Sequence, residues 1–214
     1  MIFVPTLTHG DVTVRSVRPR DARTLTRLLK ENRTWLQKWE ATVPGYEGLP
    51  PVGDMIRGVL RLARKDQVAP FVIEYRGHVV GQVTLSGLSF GSLASGAIGY
   101  WIAQSAAGKG ITPLAVALVT DWAFTNLGIH RVEVCIRPEN EASLHVVRKL
   151  GMRYEGLRRR YIHIDGDWRD HFCFAVTIDE VLGGVLARLV RGTADPSLAE
   201  IPEADRIAAQ TPIR

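Results

Sequence analysis

A glycine-rich turn near the middle of the chain has the composition of an anion-binding site. Gly108, Lys109 and Gly110 follow an apolar, strand-like run and precede a long apolar run. Free N–H groups at the start of a helix, together with the helix dipole, attract anions. Glycine has no Cβ, so a phosphate can approach the main chain closely, and Lys109 adds positive charge. The turn therefore predicts a site for a diphosphate.

Two common nucleotide-binding motifs do not fit this turn. A P-loop requires four residues between its glycines and a Gly-Lys-Ser/Thr ending. The dinucleotide-binding fingerprint requires a third glycine, whereas position 113 is Pro113. By itself, a Gly-x-Gly sequence between a strand and a helix is more often only a tight turn.

A second turn follows the next strand-like run. Asn140 lies directly before a predicted helix, where asparagine is a favoured N-cap residue, and Ser143 is the third residue of that helix. Capping alone would explain both residues. However, the two helix starts follow successive strands, so both turns can face one groove. The pair favours a binding site over two unrelated caps.

The elements that would position these turns follow from the hydrophobic pattern. Alternating apolar residues predict strands, and apolar residues three and four positions apart predict helices. Strands are expected over Val12–Val17, Phe71–Tyr75, Val79–Leu85, Ala97–Ala103, Arg131–Arg137, Leu157–Ile164 and Trp168–Val176. Helices are expected over Ala22–Asn32, Gly53–Lys65, Gly110–Leu127, Glu141–Leu150 and Ile178–Arg191, with a short helix and an irregular loop within 35–51.

The mixed order of strands and helices, without an internal repeat or a linker, indicates one α/β domain. We assign this domain to residues 1–192. Residues 193–214 are rich in alanine and proline and show little periodicity, which predicts a flexible C-terminal tail. The chain has 214 residues, of which 46% are hydrophobic, enough for a buried core.

Composition argues against several other classes of protein. No apolar run reaches the roughly 20 residues of a membrane helix, and the first residues lack the features of a signal peptide. The two cysteines, Cys135 and Cys173, lie in strand-like runs and do not indicate a disulfide framework, and Cys135 is expected to be buried and inert. We expect a cytoplasmic protein without a metal site or a membrane partner. The net charge of +5 and the pI near 9.5 come mostly from scattered basic residues, and we expect no direct nucleic-acid binding.

Together, the motifs resemble the core of the GNAT acetyltransferases. The order is a strand, the 108–110 turn, a long helix, a strand, Asn140-x-x-Ser143 and Lys149-Leu150-Gly151-Met152. Other segments are similar to the Rim-type (RimJ/RimL-like) ribosomal-protein N-terminal acetyltransferases. These segments are Val17-Arg18-Pro19 with Asp21-Ala22, Trp35 and Trp39, Gly99-Tyr100-Trp101-Ile102, and Gly166-Asp167-Trp168-Arg169-Asp170. The resemblance spans roughly residues 10–180.

The resemblance implies a twisted, splayed, mixed and mostly antiparallel sheet of roughly six to seven strands, with helices on both faces. Acetyl-CoA would lie between the fourth and fifth strands. Its pantetheine would pair with the backbone of Trp101, Ile102 and Ala103, and Asn140 and Ser143 would line the acetyl and thiol end. The pyrophosphate would bind the N–H groups of Gly108, Lys109, Gly110, Ile111 and Thr112.

Three positions depart from the family pattern. Ser105 stands at the first position of the Q/R-x-x-G-x-G/A motif, and Val147 stands where many members have a tyrosine general acid. Ser143 is therefore the candidate general acid. Gln104 stands where some relatives carry a glutamate base, and glutamine cannot take a proton. The base stays open between an ordered water, another acidic residue and a substrate that is already neutral.

The acceptor implied by the resemblance is a protein N-terminal α-amine, such as the first alanine or serine of a ribosomal protein. The missing glutamate agrees with this acceptor, because an α-amine has a pKa of about 7.7–8.0, whereas that of lysine is about 10.4. Trp35, Trp39 and Tyr100 are candidates for lining the acceptor groove, with core packing as the other interpretation. A small-molecule amine acetyltransferase (acting on an aminoglycoside, polyamine or amino acid) and a non-catalytic CoA-binding module are the alternatives, and a homodimer stays open.

Overall fold

The computed structural model describes residues 4–45, 48 and 50–211. Its strands are β1 (Leu7–His9), β2 (Val12–Ser16), β3 (Ala69–Tyr75), β4 (His78–Ser89), β5 (Ser95–Ile102), β6 (Arg131–Ile136), β7 (Arg153–Ile164) and β8 (Asp167–Thr177). Among the described residues these strands form one eight-stranded sheet in the order β1-β2-β3-β4-β5-β6-β8-β7. Neighbouring strands are antiparallel except β5 and β6, which run parallel.

Helices cover both faces of this sheet. The α-helices of the described residues are α1 (Ala22–Glu31), α2 (Arg33–Leu36), α3 (Val52–Ala63), α4 (Ile111–Leu127), α5 (Glu141–Leu150), α6 (Val185–Arg191) and α7 (Glu203–Gln210). On one face, Leu25 of α1 and Ile56 of α3 pack against Val72. On the other, α4 and α5 bury their apolar residues in the main core. Within the described part of the chain, none of the helices is both long and apolar enough to span a membrane.

The contact between β5 and β6 is short. Three residues of β5, from Ser95 to Ala97, pair with Arg131 to Glu133 of β6. Both strands continue beyond these pairs and keep their outer neighbours, because β5 stays paired with β4 as far as Ile102 and β6 stays paired with β8 as far as Ile136. The sheet therefore splits into two halves that part after Ala97.

The structure confirms one α/β domain with a mixed, mostly antiparallel sheet and helices on both faces. The sheet has one strand more than the expected six to seven within the described residues. The extra strand is β1, which pairs with β2 across a turn at Gly10 and Asp11. A strand of three residues is too short to show a period in the sequence.

The predicted helix Ile178–Arg191 is wrong in its first half. A short 3₁₀ turn is followed by Gly183 and Gly184, and α6 starts only after them. Glycine is unfavourable inside a helix, and the new start is fixed from outside. The Asp121 carboxylate of α4 accepts the N–H groups of Val185 and Leu186 at 2.6 and 3.0 Å.

The described part of the C-terminal segment packs on the domain, contrary to the expected flexible tail after Gly192. It contains a 3₁₀ turn and α7, and Ala199 and Ile201 are buried in the main core. The Tyr154 hydroxyl of β7 also donates to Asp205 at 2.7 Å. Two isolated apolar residues anchor the segment, and so few apolar positions leave no periodic signal in the sequence.

A glycine allows β4 to pack closely on β5 beside the split. A Cβ at Gly81 would lie 2.3 Å from the Trp101 carbonyl oxygen, whereas a Cβ at Gly99 would meet nothing within 4 Å. We expect Gly81→Ala to lower the free energy of unfolding by about 1–3 kcal/mol, because the backbone must move. The matched variant Gly99→Ala should change it by no more than about 0.5 kcal/mol. Urea denaturation followed by tryptophan fluorescence measures both, and equal effects would contradict this account.

Candidate active site

A cavity of about 520 Å³ lies where β5 and β6 part, and we call it the turn cavity. Its walls come from the end of β5, the 108–110 turn, the first residues of α4 and α5, and α2. The volume falls within the range of ordinary ligand sites, about 300–1,000 Å³. The residues that line it include Trp35, Trp39, Tyr100, Trp101, Ile102, Gly108, Gly110, Ile111, Thr112, Asn140 and Ser143.

The turn before α4 leaves backbone donors free at the helix start. Gly108 and Gly110 have φ angles of +76° and +75°, a conformation that glycine adopts without strain. Gly110 is the N-cap and makes no side-chain cap hydrogen bond, and a Cβ added at either glycine would meet no atom within 4 Å. The first N–H groups of α4 are therefore open to an anionic ligand, which fits a diphosphate.

The second helix start orients Ser143. The Asn140 side-chain oxygen accepts the Ser143 backbone N–H at 3.1 Å, so the capping role is realised. This bond uses the main chain of Ser143 and leaves its hydroxyl group free to face the cavity. Val147, in contrast, is fully buried. The position where many family members have tyrosine therefore contributes no proton donor here.

Tyr100 presents a buried hydroxyl group beside Ser143. Burial raises the pKa of Tyr100 to about 12, and the nearby Ser143 hydroxyl offsets part of that rise. Among the described residues, the Tyr100 hydroxyl makes no hydrogen bond of normal geometry. An unsatisfied buried hydroxyl is unfavourable by about 1–3 kcal/mol. A polar group of a bound ligand would satisfy it.

A second cavity, of about 410 Å³, meets the turn cavity at Tyr100, Asn140 and Ser143. We call it the hairpin cavity, because the β7–β8 hairpin forms one wall and α1, α2 and the loop that follows form the opposite wall. The two walls are joined at the edge of the cavity, where Ala41 pairs with Ile164 and the Thr42 N–H donates to the His163 carbonyl at 2.8 Å. A ligand in each cavity would bring two reacting groups together at Ser143.

The structure brings most of the residues predicted for cofactor binding to the turn cavity, but not Ala103 or Lys109. The Ala103 N–H is already bonded to the Val80 carbonyl at 2.8 Å, and Lys109 is exposed. Trp35 also differs from expectation, because it lines the turn cavity and not the hairpin cavity. Its indole N–H donates to the Ile102 carbonyl at 3.2 Å.

Trp39 and Tyr100 line both cavities. Trp39 is held from the β6–α5 connection, where the Arg137 guanidinium lies 5.4 Å from its ring centroid. Arg137 also donates to the Lys38 carbonyl at 2.7 Å. Core packing therefore does not describe Trp39, which is half-buried at the junction of the cavities.

Sequence reasoning missed two polar residues of the hairpin cavity, Arg137 and His171, which line it together with Glu40. Glu40 forms an ion pair with Arg33. His171 is 3% exposed and comes from β8. These residues come from segments far apart in the chain and share no motif, so only the tertiary fold brings them together.

Cys135 is not fully buried, contrary to expectation, and Arg158 is a basic neighbour that the sequence did not indicate. Cys135 is partly exposed and lines the hairpin cavity, opposite Cys173 in the register of β6 and β8 with 3.0 Å between the sulfur atoms. The hydrogen bond with Cys173 and the positive charge of Arg158, 3.7 Å away, lower the pKa of Cys135. The hydrogen bond with Cys135 and burial raise the pKa of Cys173.

Comparison with known proteins decides the family. Residues 11–153 match the model of the acetyltransferase (GNAT) domain. The chain belongs to the GNAT acetyltransferase family. It is accordingly an acyltransferase, with acetyl-CoA as its cosubstrate. The split sheet and the open helix start of α4 are the parts of the structure that suit this cosubstrate.

The relatives include ribosomal-protein acetyltransferases. RimJ of Mycobacterium smegmatis, solved in complex with CoA-disulfide, has 36% identity and a TM-score of 0.81, covering 89% of this chain and 94% of that one. The [ribosomal protein uS5]-alanine N-acetyltransferase of Escherichia coli is 29% identical over 80% of this chain and 90% of its own length. The probable N-acetyltransferase YjcK of Bacillus subtilis is 39% identical over 46% of this chain and 54% of its own.

The Tyr100 hydroxyl gives opposite expectations for stability and for turnover. Tyr100→Phe should leave the free energy of unfolding unchanged or higher, because it removes a buried group without a partner. The substitution should lower the rate of acetyl transfer roughly 2- to 10-fold, because one hydrogen bond to the reacting groups is lost. Urea denaturation and thiol release from acetyl-CoA measure the two effects, with Tyr75→Phe as the control. A destabilised variant with normal turnover would show that the hydroxyl is structural.

Proposed function

We propose that this enzyme acetylates the N-terminal α-amine of a protein, with a ribosomal protein that begins with alanine or serine as the acceptor. The observation that carries the proposal is the meeting of the turn cavity and the hairpin cavity at Tyr100, Asn140 and Ser143. The similarity to the [ribosomal protein uS5]-alanine N-acetyltransferase of Escherichia coli supports the choice of acceptor. A ribosomal acceptor would place the reaction in the cytoplasm.

The turn cavity would hold acetyl-CoA, whose thioester supplies the activated acetyl group. The N–H groups from Gly108 to Thr112 would bind its pyrophosphate, since they begin α4 without a side-chain cap. The free edge of β5, at Trp101 and Ile102, would bind the pantetheine arm. Ser143 and Tyr100 would then lie at the thioester.

The hairpin cavity suits a single amine better than a polyamine. Among the described residues that line it, Glu40 is the one carboxylate, and Arg33 already pairs with it. A polyamine with several positive charges would require several carboxylates, because unpaired charges are unfavourable in a cavity. The rest of the wall is largely aromatic and aliphatic, with Trp39 and Ile164 as examples.

Space for further residues of a peptide lies next to this cavity. An open groove of about 800 Å³ shares Leu29 with the hairpin cavity and runs along α1, α2 and the hairpin end. Its described charged residues are Lys30, Arg33 and Asp165. An acceptor peptide could place its amine in the cavity and its following residues in this groove.

The chemistry requires the amine nitrogen to attack the thioester carbon while the bond from that carbon to sulfur breaks. Holding both reactants at the junction of the cavities could supply about 7–11 kcal/mol of the barrier through proximity. The Ser143 hydroxyl would donate a proton to the leaving sulfur. Backbone N–H groups of β5 would stabilise the charge that develops on the carbonyl oxygen.

Removal of the Ser143 hydroxyl tests its role as general acid. Ser143→Ala should lower kcat by about 10²-fold or more, with little change in KM for acetyl-CoA. The fold should be retained, because the Asn140 cap binds the Ser143 backbone N–H. Steady-state kinetics and the melting temperature measure both, with the exposed Ser197→Ala as the control. A normal kcat would exclude Ser143 as the acid.

The acceptor is tested by thiol release and product mass with a panel of amines. The panel contains peptides beginning with alanine, serine or methionine, including ribosomal sequences, and an aminoglycoside, a polyamine and free amino acids. Acetylation confined to peptide α-amines is the expected result. Turnover on a small amine alone would replace the proposed acceptor. CoA binding without turnover on any acceptor would indicate a non-catalytic module.

A further inference from the structure

A buried histidine stands in the wall of the hairpin cavity. His171 precedes Phe172, and Phe172 pairs with Ile136, the last residue of β6. The histidine therefore lies level with the connection from β6 to α5, which ends at Asn140. It is 3% exposed, yet it lines the same cavity as Tyr100 and Ser143.

The one hydrogen bond of the ring within the described residues fixes which nitrogen carries the proton. His171 Nδ1 lies 2.9 Å from the Arg169 carbonyl oxygen. A carbonyl can only accept, so Nδ1 carries the hydrogen and Nε2 of the neutral ring has a free lone pair. Among the described residues, no protein group makes a hydrogen bond to Nε2. The edge-to-face contact with Tyr161, at 5.8 Å between centroids, holds the ring in place.

The surroundings keep this ring neutral. Burial lowers the pKa of His171 and the charge of Arg137 lowers it further, while the bond to Arg169 and the charges of Asp170 and Glu139 act in the opposite direction. The net effect is a pKa below the usual 6.5. The titratable and charged groups around the ring are Arg137 and Glu139 after β6, Arg158 and Tyr161 on β7, and Arg169, Asp170 and Cys173 on β8.

We propose that His171 is the general base of the acetyl transfer, taking the proton of the acceptor amine on Nε2 directly or through one water. The nitrogen gains a bond to the acetyl carbon and gives up one proton to His171. The sulfur loses its bond to that carbon and takes one proton from Ser143. The proton on His171 then passes to solvent, and Ser143 is reprotonated from solvent, so the protons balance.

The other candidates in the cavity are less suited to this role. Glu40 is paired with Arg33, and the Cys135 sulfur is hydrogen-bonded to that of Cys173. Gln104 cannot act as a base, and its backbone N–H is bonded to the Asn32 side chain outside both cavities. This assignment rests on the proposed function, since it requires an amine in the hairpin cavity.

The test uses the full chain and the best acceptor peptide identified for the wild type. His171→Gln should lower kcat by about 10²-fold or more, with KM for acetyl-CoA unchanged. The exposed His78→Gln is the matched control and should match the wild type. His171→Ala provides a second variant, whose activity added imidazole should restore in part. Melting temperature and CoA binding verify that each variant is folded.

The pH profile separates a base from a residue that only supports the fold. On the acid side, kcat/KM of the wild type requires loss of a proton from both the acceptor amine and His171. A plot of log kcat/KM against pH should therefore rise with slope two below the pKa of His171. Between the pKa of His171 and the pKa of the amine, the slope should be one. His171→Gln should show slope one throughout, because only the amine titrates.

Three results would overturn the assignment. One is a His171→Gln variant with more than a third of the wild-type kcat. Another is a slope of two in the plot of log kcat/KM against pH that persists in His171→Gln. The third is independent of turnover: ¹⁵N NMR of the wild type that shows the hydrogen on Nε2 at neutral pH. Absence of wild-type turnover on every acceptor would instead overturn the proposed function. If NMR of the same protein still shows the hydrogen of His171 on Nδ1, the error lies in the proposed acceptor and not in the state of the histidine.

Discussion

The early parting of β5 and β6 is the constraint on which the rest of the structure depends. Three residue pairs join the two halves of the sheet, and beyond them two strand edges face each other across a gap. Buried backbone groups need partners, and the Ile102 carbonyl finds one in the Trp35 indole. The other unpaired backbone groups along this gap need polar partners. Both cavities lie at the gap.

Hydrophobic packing then directs the polar groups of the site. Helix α4 follows β5 and α5 follows β6, so the two helix starts lie at the open ends of the diverging strands. The body of α4 is buried on almost every side, with Ala115, Val116 and Val119 fully enclosed. Its position is therefore set by the core, and the N–H groups at its start are held without the help of flexible side chains. A rigid backbone donor loses little entropy when it binds a ligand.

The sequence predicted best what is encoded locally. Helix Glu141–Leu150 has the expected ends because Asn140 caps it and Gly151 terminates it, and the two turns that form the turn cavity were recognised from a few adjacent residues. The predicted helix Ile178–Arg191 does not begin at Ile178. Asp121 of α4 instead caps α6 at Val185. Long-range pairing was out of reach as well. Nothing near His171 in the sequence indicates that its strand lies beside β6, so the place of His171 in the wall of the hairpin cavity could not be foreseen.

The contact between the loop after α2 and the tip of the β7–β8 hairpin has a consequence for recognition. Thr42 binds His163 through its backbone N–H and through its hydroxyl, which lies 2.7 Å from Nδ1, although the two residues are 121 positions apart. The two walls of the hairpin cavity are thus connected into one continuous rim and cannot move independently of each other. Folding has already ordered this rim, so an acceptor does not have to close it. Discrimination between amines then depends on how well each one fits a preformed opening.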